Sequence, residues 1–233
     1  GFFLRDGGYY FALSDYVDLA LTGEIYTKGS WGLSARSAYR KRYKYSGNFN
    51  ASLLTTILGD KVVPTEYSKS KDFKITWTHS QDAKANPYRS FSASVNFATS
   101  SYDRNQLTNI YNQNSTSNTK GSSVSLSQRF PNSPFSLSAT MNVNQRSRDS
   151  SISVTLPDVS ITMSRIYPFK RKHAVGSEKW YEKISMSYSG YLRNSIDTKE
   201  NKLMQSSLVK DWRNGMQHNI PISATFTFLK YIN

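Results

Sequence analysis

Residues 135–144 read FSLSATMNVN, and this stretch decides the fold class. Every second side chain in it is apolar, and the side chains between them are small and polar. Because successive side chains of a β-strand point to opposite faces, the alternation predicts a strand with one apolar face and one polar face. The apolar side chains are Phe135, Leu137, Ala139, Met141 and Val143. The polar side chains are Ser136, Ser138, Thr140 and Asn142.

The same alternation recurs along the chain, at residues 90–97, 159–164, 184–189 and 220–228. Helical spacing appears nowhere over a comparable length. Turn-forming residues separate the alternating segments. They lie at residues 28–30, 46–48, 131–134, 148–150, 157–158 and 214–215. These features predict an all-β fold of about a dozen antiparallel strands.

The polar face of these strands consists mostly of Ser, Thr and Asn, whereas the surface of a soluble β-sandwich usually mixes charged residues of both signs. In a membrane barrel, strands of roughly nine to eleven residues cross the bilayer, and lipid-facing apolar residues alternate with polar residues that face the lumen. Residues 135–144 have this length and pattern. We therefore expect an antiparallel transmembrane β-barrel in which Ser136, Ser138, Thr140 and Asn142 face the lumen. A soluble or solenoid β protein is the alternative.

The composition of the 233 residues agrees with a folded β protein. The chain has 30 Lys and Arg against 16 Asp and Glu, a formal net charge of +14, and a mean hydropathy of −0.58. Such a low mean hydropathy would suit a disordered chain, but disordered chains are poor in aromatic residues, which make up 14% here. No apolar run is long enough for a membrane-spanning helix, and the absence of cysteine excludes disulfides and thiolate metal sites.

Residues 7–26, GGYYFALSDYVDLALTGEIY, together with residues 30–35 and the Tyr-rich basic segment 39–45, resemble the start of the β-barrel of the LptD family. This is a family of outer-membrane lipopolysaccharide assembly proteins, and the resemblance is to its Bacteroidota branch. Further matching segments are residues 76–82, 164–172 and 211–218. The resemblance spans most of the chain and lies in the combination and order of strand and turn sequences.

The resemblance implies that residues 1–233 form roughly the first half of a larger barrel in the bacterial outer membrane. The preceding periplasmic jellyroll and the closing strands are then expected outside this sequence. Implied partners are lipopolysaccharide, a plug lipoprotein of the LptE type, the periplasmic bridge of the lipopolysaccharide transport machinery, and outer-membrane lipid. A passive diffusion or ligand-uptake barrel is the alternative function.

The resemblance also implies a seam between the first and last strands, through which lipopolysaccharide leaves sideways. The expected seam residues are Tyr9, Tyr10, Phe11, Ala12, Leu13 and Ser14. Prolines that interrupt the early strands in the better-known proteobacterial pattern are replaced near Ser14 and Gly23. Only Gly23 could loosen a strand, because glycine packs no side chain and loses entropy on folding.

Two basic clusters are candidate contacts for the phosphates of lipopolysaccharide, since guanidinium pairs with phosphate bidentately and lysine acts as a point charge. The first cluster contains Arg36, Arg40, Lys41, Arg42 and Lys44. The second contains Lys170, Arg171 and Lys172, beside His173. The alternative is that both are solvated strand ends or loops near an anionic membrane without a specific site.

Other functions find little support in the sequence. The charges lie mainly at turns and strand ends and leave no aromatic stacking platform, so we expect no nucleic-acid binding. His79, His173 and His218 share no spacing, Asp82 and Asp103 fit loop positions, and no metal or nucleophile motif is present. We therefore expect a protein that is not an enzyme, with no catalytic residue, no metal and no cofactor.

Overall fold

Antiparallel strands make up most of the part of the chain that the structure describes. The structure is a computed structural model, and it describes residues 2–105, 119–173, 175–203, 205 and 210–226. The strands are β1 (Phe3–Ser14), β2 (Val17–Tyr26), β3 (Trp31–Lys41), β4 (Tyr45–Leu58), β5 (Ser68–Gln81), β6 (Arg89–Ala98), β7 (Thr119–Arg129), β8 (Phe135–Arg146), β9 (Ser151–Ile166), β10 (Ile184–Lys199), β11 (Arg213–Asn219) and β12 (Ile222–Ala224).

The twelve strands form one sheet in which β1 to β11 follow each other in chain order, and β12 also pairs with β10. The predicted all-β class and strand number are therefore confirmed. The sheet is not closed, because β1 and β11 lie at its two edges. One short helix, α1 (Tyr102–Asn105), and two 3-10 turns at Trp180–Lys183 and Glu200–Lys202 interrupt it. No helix among the described residues is long and apolar enough to span a membrane.

Every connection between neighbouring strands lies at one of two ends of the sheet. The Tyr16 end carries residues 15–16, 42–44, 82–88, 130–134 and 167–183. The Gly29 end carries residues 27–30, 59–67, 99–118, 147–150 and 200–212, of which 106–118, 204 and 206–209 lie outside the described part. The strands between the two ends have ten to sixteen residues in β1 to β10.

Three predicted turns are wrong. Residues 46–48 lie inside β4, and the chain reverses at residues 42–44, where Tyr43 adopts φ +60°. Residues 157–158 lie inside β9 at a bulge, because Thr140 pairs with Asp158 but Asn142 pairs with Thr155, which leaves one extra residue in β9. Residues 214–215 lie inside β11. Of the strand predicted at residues 220–228, the structure contains only β12, Ile222–Ala224. Residues 227–228 lie outside the described residues.

Candidate functional site

One face of the sheet is lined by short polar side chains. Directly paired residues of neighbouring strands point to the same side, so the ladder identifies this polar face. Ser138 pairs with Ser127 on one side and with Ser160 on the other, and Ser136, Thr140 and Asn142 belong to the same face. Hydrogen bonds join such pairs across the strands, as between the hydroxyls of Ser136 and Thr162 at 2.6 Å.

The opposite, apolar face is broadly exposed. Leu33 pairs with Leu53 there, and the two residues are 48% and 53% exposed. Ile25, Phe135 and Ile161 are exposed on the same face. Soluble monomers rarely expose a contiguous apolar patch larger than a few hundred Å², so a face of this kind marks contact with another apolar phase or partner.

Near the Tyr16 end, the apolar face carries an aromatic band. Its members on β3 to β6 are Tyr39, Tyr45, Trp77, His79 and Phe91, and on β10 and β11 they are Tyr188 and His218. The polar atoms of the band bond to each other. Trp77 Nε1 donates to the Tyr39 hydroxyl at 2.8 Å, and that hydroxyl lies 2.7 Å from His79 Nδ1. The Tyr188 hydroxyl likewise lies 2.7 Å from His218 Nδ1.

Two of the three candidate histidines are therefore partners of tyrosine in the aromatic band. His173 is exposed in the connection between β9 and β10. Within the described ranges, no group of three or more His, Cys, Asp or Glu residues could hold a metal ion. Asp103 lies in α1, where its carboxylate forms an ion pair of 2.7 Å with the buried Lys120.

On the polar face of β1 to β5, two adjoining clefts of about 550 Å³ each form a polar trough. The residues common to both clefts are Tyr10, Asp18, Ala38, Asn48 and Thr78. Arg40 lines the first cleft and Arg36 lines the second. Both guanidinium groups are exposed and form no ion pair or hydrogen bond with another described residue. Asp15 and Asp18 line the trough together with amides and hydroxyls. The two unpaired arginines can bind an anionic group of a hydroxyl-rich ligand there.

Asp18 shapes the floor of the trough, a role that no local sequence pattern predicts. The β2–β3 ladder is interrupted between the pairs Val17–Tyr39 and Ala20–Arg36. In this gap the Asp18 carboxylate accepts the Ala38 N–H at 2.7 Å and the Tyr10 hydroxyl at 3.2 Å. A side chain thus replaces part of the backbone pairing and ties β1 to β2 and β3.

The remaining cations of the first cluster lie elsewhere. Lys41 ends β3 on the apolar face, and its ammonium lies 5.2 Å from the centre of the Tyr16 ring. Arg42 and Lys44 lie in the turn between β3 and β4, where Arg42 covers the Tyr43 ring at 4.9 Å. The structure therefore brings Arg36 and Arg40 together in the trough and separates them from the other three.

Two cations of the second cluster have acidic partners. Lys170 lies 3.2 Å from Glu178, both exposed. Arg171 donates through Nε and Nη2 to Glu182 at 2.7 and 3.0 Å, and the backbone N–H groups of Arg171 and Lys179 also donate to this carboxylate. The Glu182 side chain is only 1% exposed. The bonds from Arg171 and Lys179 lower the pKa of Glu182 to about 2. Lys172 is exposed and has no acidic partner among the described residues.

The expected seam residues, 9–14, lie in β1, which is an edge strand. Among the described strands, β1 pairs only with β2. The β1–β2 register shifts twice, between Leu4 and Gly7 and between Ala12 and Ser14. Gly7 pairs with Gly23, and an added Cβ at Gly8 would overlap the carbonyl of Leu21. From the sequence only Gly23 is expected to loosen a strand. The structure adds Gly8, where the backbone of β2 leaves no room for a side chain.

A buried polar cluster at the Gly29 end holds α1 against the polar face of β5. Asp72 is 3% exposed, and its carboxylate accepts hydrogen bonds from Thr99, Ser101, Asn105 and Ser70. Tyr102 packs with Leu54 and Ala98 beside it. The start of the β6–β7 connection is thus folded onto the sheet.

Comparison with known proteins identifies the family. The family model LptD_2, described as LptD protein, matches residues 1–233. No curated protein sequence matches the chain. Because the match covers all of its residues, the chain belongs to the LptD family.

Proposed function

We propose that this LptD-family chain is part of an outer-membrane β-barrel that delivers lipopolysaccharide to the outer leaflet without catalysing a reaction. The observation that carries the proposal is a sheet of the LptD family whose polar face holds two unpaired arginines, Arg36 and Arg40. The exposed apolar face supports its placement against lipid. Residues 1–233 would be a barrel segment of a longer protein, with a periplasmic jellyroll and closing strands beyond it.

The two faces suggest how the substrate is held. Ser, Thr and Asn side chains both donate and accept hydrogen bonds, so on the polar face they can exchange water for the hydroxyls of a sugar. Arg36 and Arg40 can pair with phosphate through two parallel N–H groups each. Such bonds are individually modest, about 0.5–1.5 kcal/mol net for neutral pairs, so a substrate can move from one to the next.

The exit would lie at β1. The two register shifts and the glycines at 7, 8 and 23 make β1 irregular, which supports a weak pairing with a closing strand. A plug lipoprotein of the LptE type and the periplasmic bridge of the transport machinery are the proposed protein partners. Energy for transport would come from outside this chain.

The test is charge reversal in the polar trough. The double variant Arg36→Glu/Arg40→Glu should lower lipopolysaccharide crosslinking to a photoreactive residue at Asn48 severalfold, because the two arginines offset Asp15 and Asp18 in the lining and their reversal leaves four negative charges there. Its control is Lys69→Glu/Lys71→Glu, which changes the net charge equally on the opposite face of β5. Both variants should fold, since exposed charges add little to stability. Equal crosslinking in the two folded variants would refute the role of the trough.

A further inference from the structure

Three neighbouring turns at the Tyr16 end carry tyrosine rings that are covered by cations. The Lys41 ammonium lies 5.2 Å from the centre of the Tyr16 ring. Arg42 and Lys84 lie over the Tyr43 ring, at 4.9 and 5.0 Å from its centre. Both tyrosines are about half exposed. These five residues, Tyr16, Lys41, Arg42, Tyr43 and Lys84, form the turn patch.

Backbone hydrogen bonds hold the three turns together. The Arg40 N–H donates to the Tyr16 carbonyl at 2.8 Å, which fastens the β1–β2 turn to β3. The Asp82 N–H donates to the Lys44 carbonyl at 2.9 Å, which fastens the β3–β4 turn to the β5–β6 connection. The cations of the turn patch therefore belong to one preorganised surface, and less ordering is needed when a ligand binds there.

The turn patch has an excess of positive charge. Its three cations form no ion pair with another described residue. Of the two carboxylates in the same turns, Asp15 lines the polar trough, and Asp82 accepts the backbone N–H of Lys84 at 2.8 Å. A cation that lies over an aromatic ring still has N–H groups directed away from it, and these can donate to a phosphate.

The turn patch borders the exposed apolar face of the sheet. Lys41 pairs with Tyr45 of the aromatic band. Farther from the Tyr16 end, Leu21 and Leu33 are exposed on the same face. Aromatic rings of a membrane sheet lie at the level of the lipid headgroups. Cations just beyond the band then lie at the depth of lipid phosphates, and the leucines lie at the depth of acyl chains.

The proposed function places the turn patch in the outer leaflet. The strand β1 begins at the Gly29 end, since Phe3 pairs with Tyr26. A periplasmic jellyroll that precedes β1 puts this end on the periplasmic side, so the Tyr16 end meets the leaflet to which lipopolysaccharide is delivered. The patch also adjoins the proposed exit, because Tyr16 lies two residues beyond Ser14, the last residue of β1.

We propose that the turn patch and the apolar face beside it form a receiving surface on the outside of the barrel, onto which lipopolysaccharide moves as it leaves at β1. Lys41, Arg42 and Lys84 bind its phosphates, and the exposed leucines contact its acyl chains. The inference rests on the proposed function and adds a second site to it: the polar trough binds the lipid before the exit, and the turn patch binds it afterwards.

The test is photocrosslinking in cells that contain the full-length protein. A photoreactive residue replaces Ala83, which is exposed in the β5–β6 connection. Separate proteins carry it at Asn48 in the polar trough, or at Val62, which is 84% exposed at the Gly29 end. Crosslinking to lipopolysaccharide at position 83 should exceed that at position 62 at least fivefold. After a pulse of labelled lipopolysaccharide, crosslinks should appear at position 48 before position 83.

Charge variants separate phosphate binding from apolar contact. Lys41→Gln/Arg42→Gln/Lys84→Gln should reduce crosslinking at position 83 at least threefold and leave crosslinking at position 48 unchanged. Lys41→Arg/Arg42→Lys/Lys84→Arg should retain at least half of the crosslinking at position 83, because attraction to anionic headgroups depends on the charge. These variants should fold, since exposed charges add little to stability.

The control variant, Lys61→Gln/Lys69→Gln/Lys71→Gln, removes the same charge at the Gly29 end and should leave both crosslinks unchanged. Equal crosslinking at positions 83 and 62, or label at position 83 before position 48, would overturn the receiving surface. Crosslinking at position 83 that persists in the glutamine variant of the turn patch would overturn phosphate binding, and crosslinks to phospholipid instead would overturn the choice of lipid. All of these outcomes leave crosslinking at position 48 intact. Its absence in the parent protein would refute the proposed function itself.

Discussion

Replacing Gly47 by Ala tests whether the aromatic band depends on a missing side chain. Gly47 lies directly between Tyr39 and His79 in the ladder of β3, β4 and β5, and the Tyr39 ring extends over it to reach His79. An added Cβ would overlap both the Tyr39 hydroxyl and the carbonyl oxygen of Thr78. The side chain can rotate away, but the carbonyl is part of the backbone of β5.

The expected loss of stability follows from these two contacts. Overpacking costs about 1–3 kcal/mol, and displacing the Tyr39 hydroxyl disrupts two hydrogen bonds worth about 0.5–1.5 kcal/mol each. Gly47→Ala should therefore lower the free energy of unfolding by about 2–6 kcal/mol. In the control variant, Gly121→Ala, the added Cβ meets only Asn144 Oδ1 at 3.6 Å. That variant should stay within about 0.5 kcal/mol of the parent or gain stability.

The measurement is urea-induced unfolding of the protein refolded in detergent micelles, followed by tryptophan fluorescence. Trp77 donates to Tyr39, so the folded-state emission should also change in Gly47→Ala and not in Gly121→Ala. Equal unfolding free energies for the two variants would refute the view that the ring of Tyr39 requires glycine beneath it.

Three further predictions concern faces, seam and loop. Cysteines at even positions of residues 135–143 should react with a water-soluble thiol reagent faster than those at odd positions, and equal rates would contradict the barrel assignment. A disulfide that locks residues 9–14 of β1 to the closing strand should block lipopolysaccharide delivery until it is reduced, and normal delivery by the locked protein would exclude a lateral exit there. The hydrogen bonds of Glu182 with Arg171 and Lys179 should persist above pH 4.5, the ordinary pKa of the carboxyl group. They should weaken as the pH falls toward the folded-state pKa of about 2. Hydrogen exchange at the Lys179 amide reports this loss, and a Glu182→Gln variant that showed the same acid response would contradict the assignment.

Sequence alone predicted the strands wherever the information was local. The alternation in residues 135–144 specified which side chains share a face, since a shift of one residue would invert all of them. The turn predicted at residues 46–48 is wrong because glycine between polar residues usually marks a turn, whereas here it lies inside β4. Glycine at position 47 leaves room for the ring of Tyr39 to reach His79, and these two residues belong to two other strands.

The candidate site was only partly predictable for the same reason. The density of positive charge singles out Arg36 and Arg40 together with Arg171, and nothing local distinguishes them. The partner of Arg171, Glu182, is eleven residues away. Asp72 is 33 residues from Asn105, and the short helix that covers it could not be recognised from its four residues. Contacts of this range are determined by how β5 and the β6–β7 connection pack.

The mean hydropathy of −0.58 looks unsuited to the membrane placement proposed above, yet the two faces of the sheet reconcile them. Only one of the two faces of each strand has to meet lipid, so half of the residues of a strand can be Ser, Thr or Asn without weakening that contact. Charged residues concentrate at the two ends, as Arg42 and Lys172 do, where they lower the average but not the apolar character of the face. The polar atoms of the aromatic band, on Tyr39, Trp77 and His79, bond to each other and leave fewer groups that need water. For a β-sheet in a bilayer, the distribution of polarity between faces is therefore more informative than its mean.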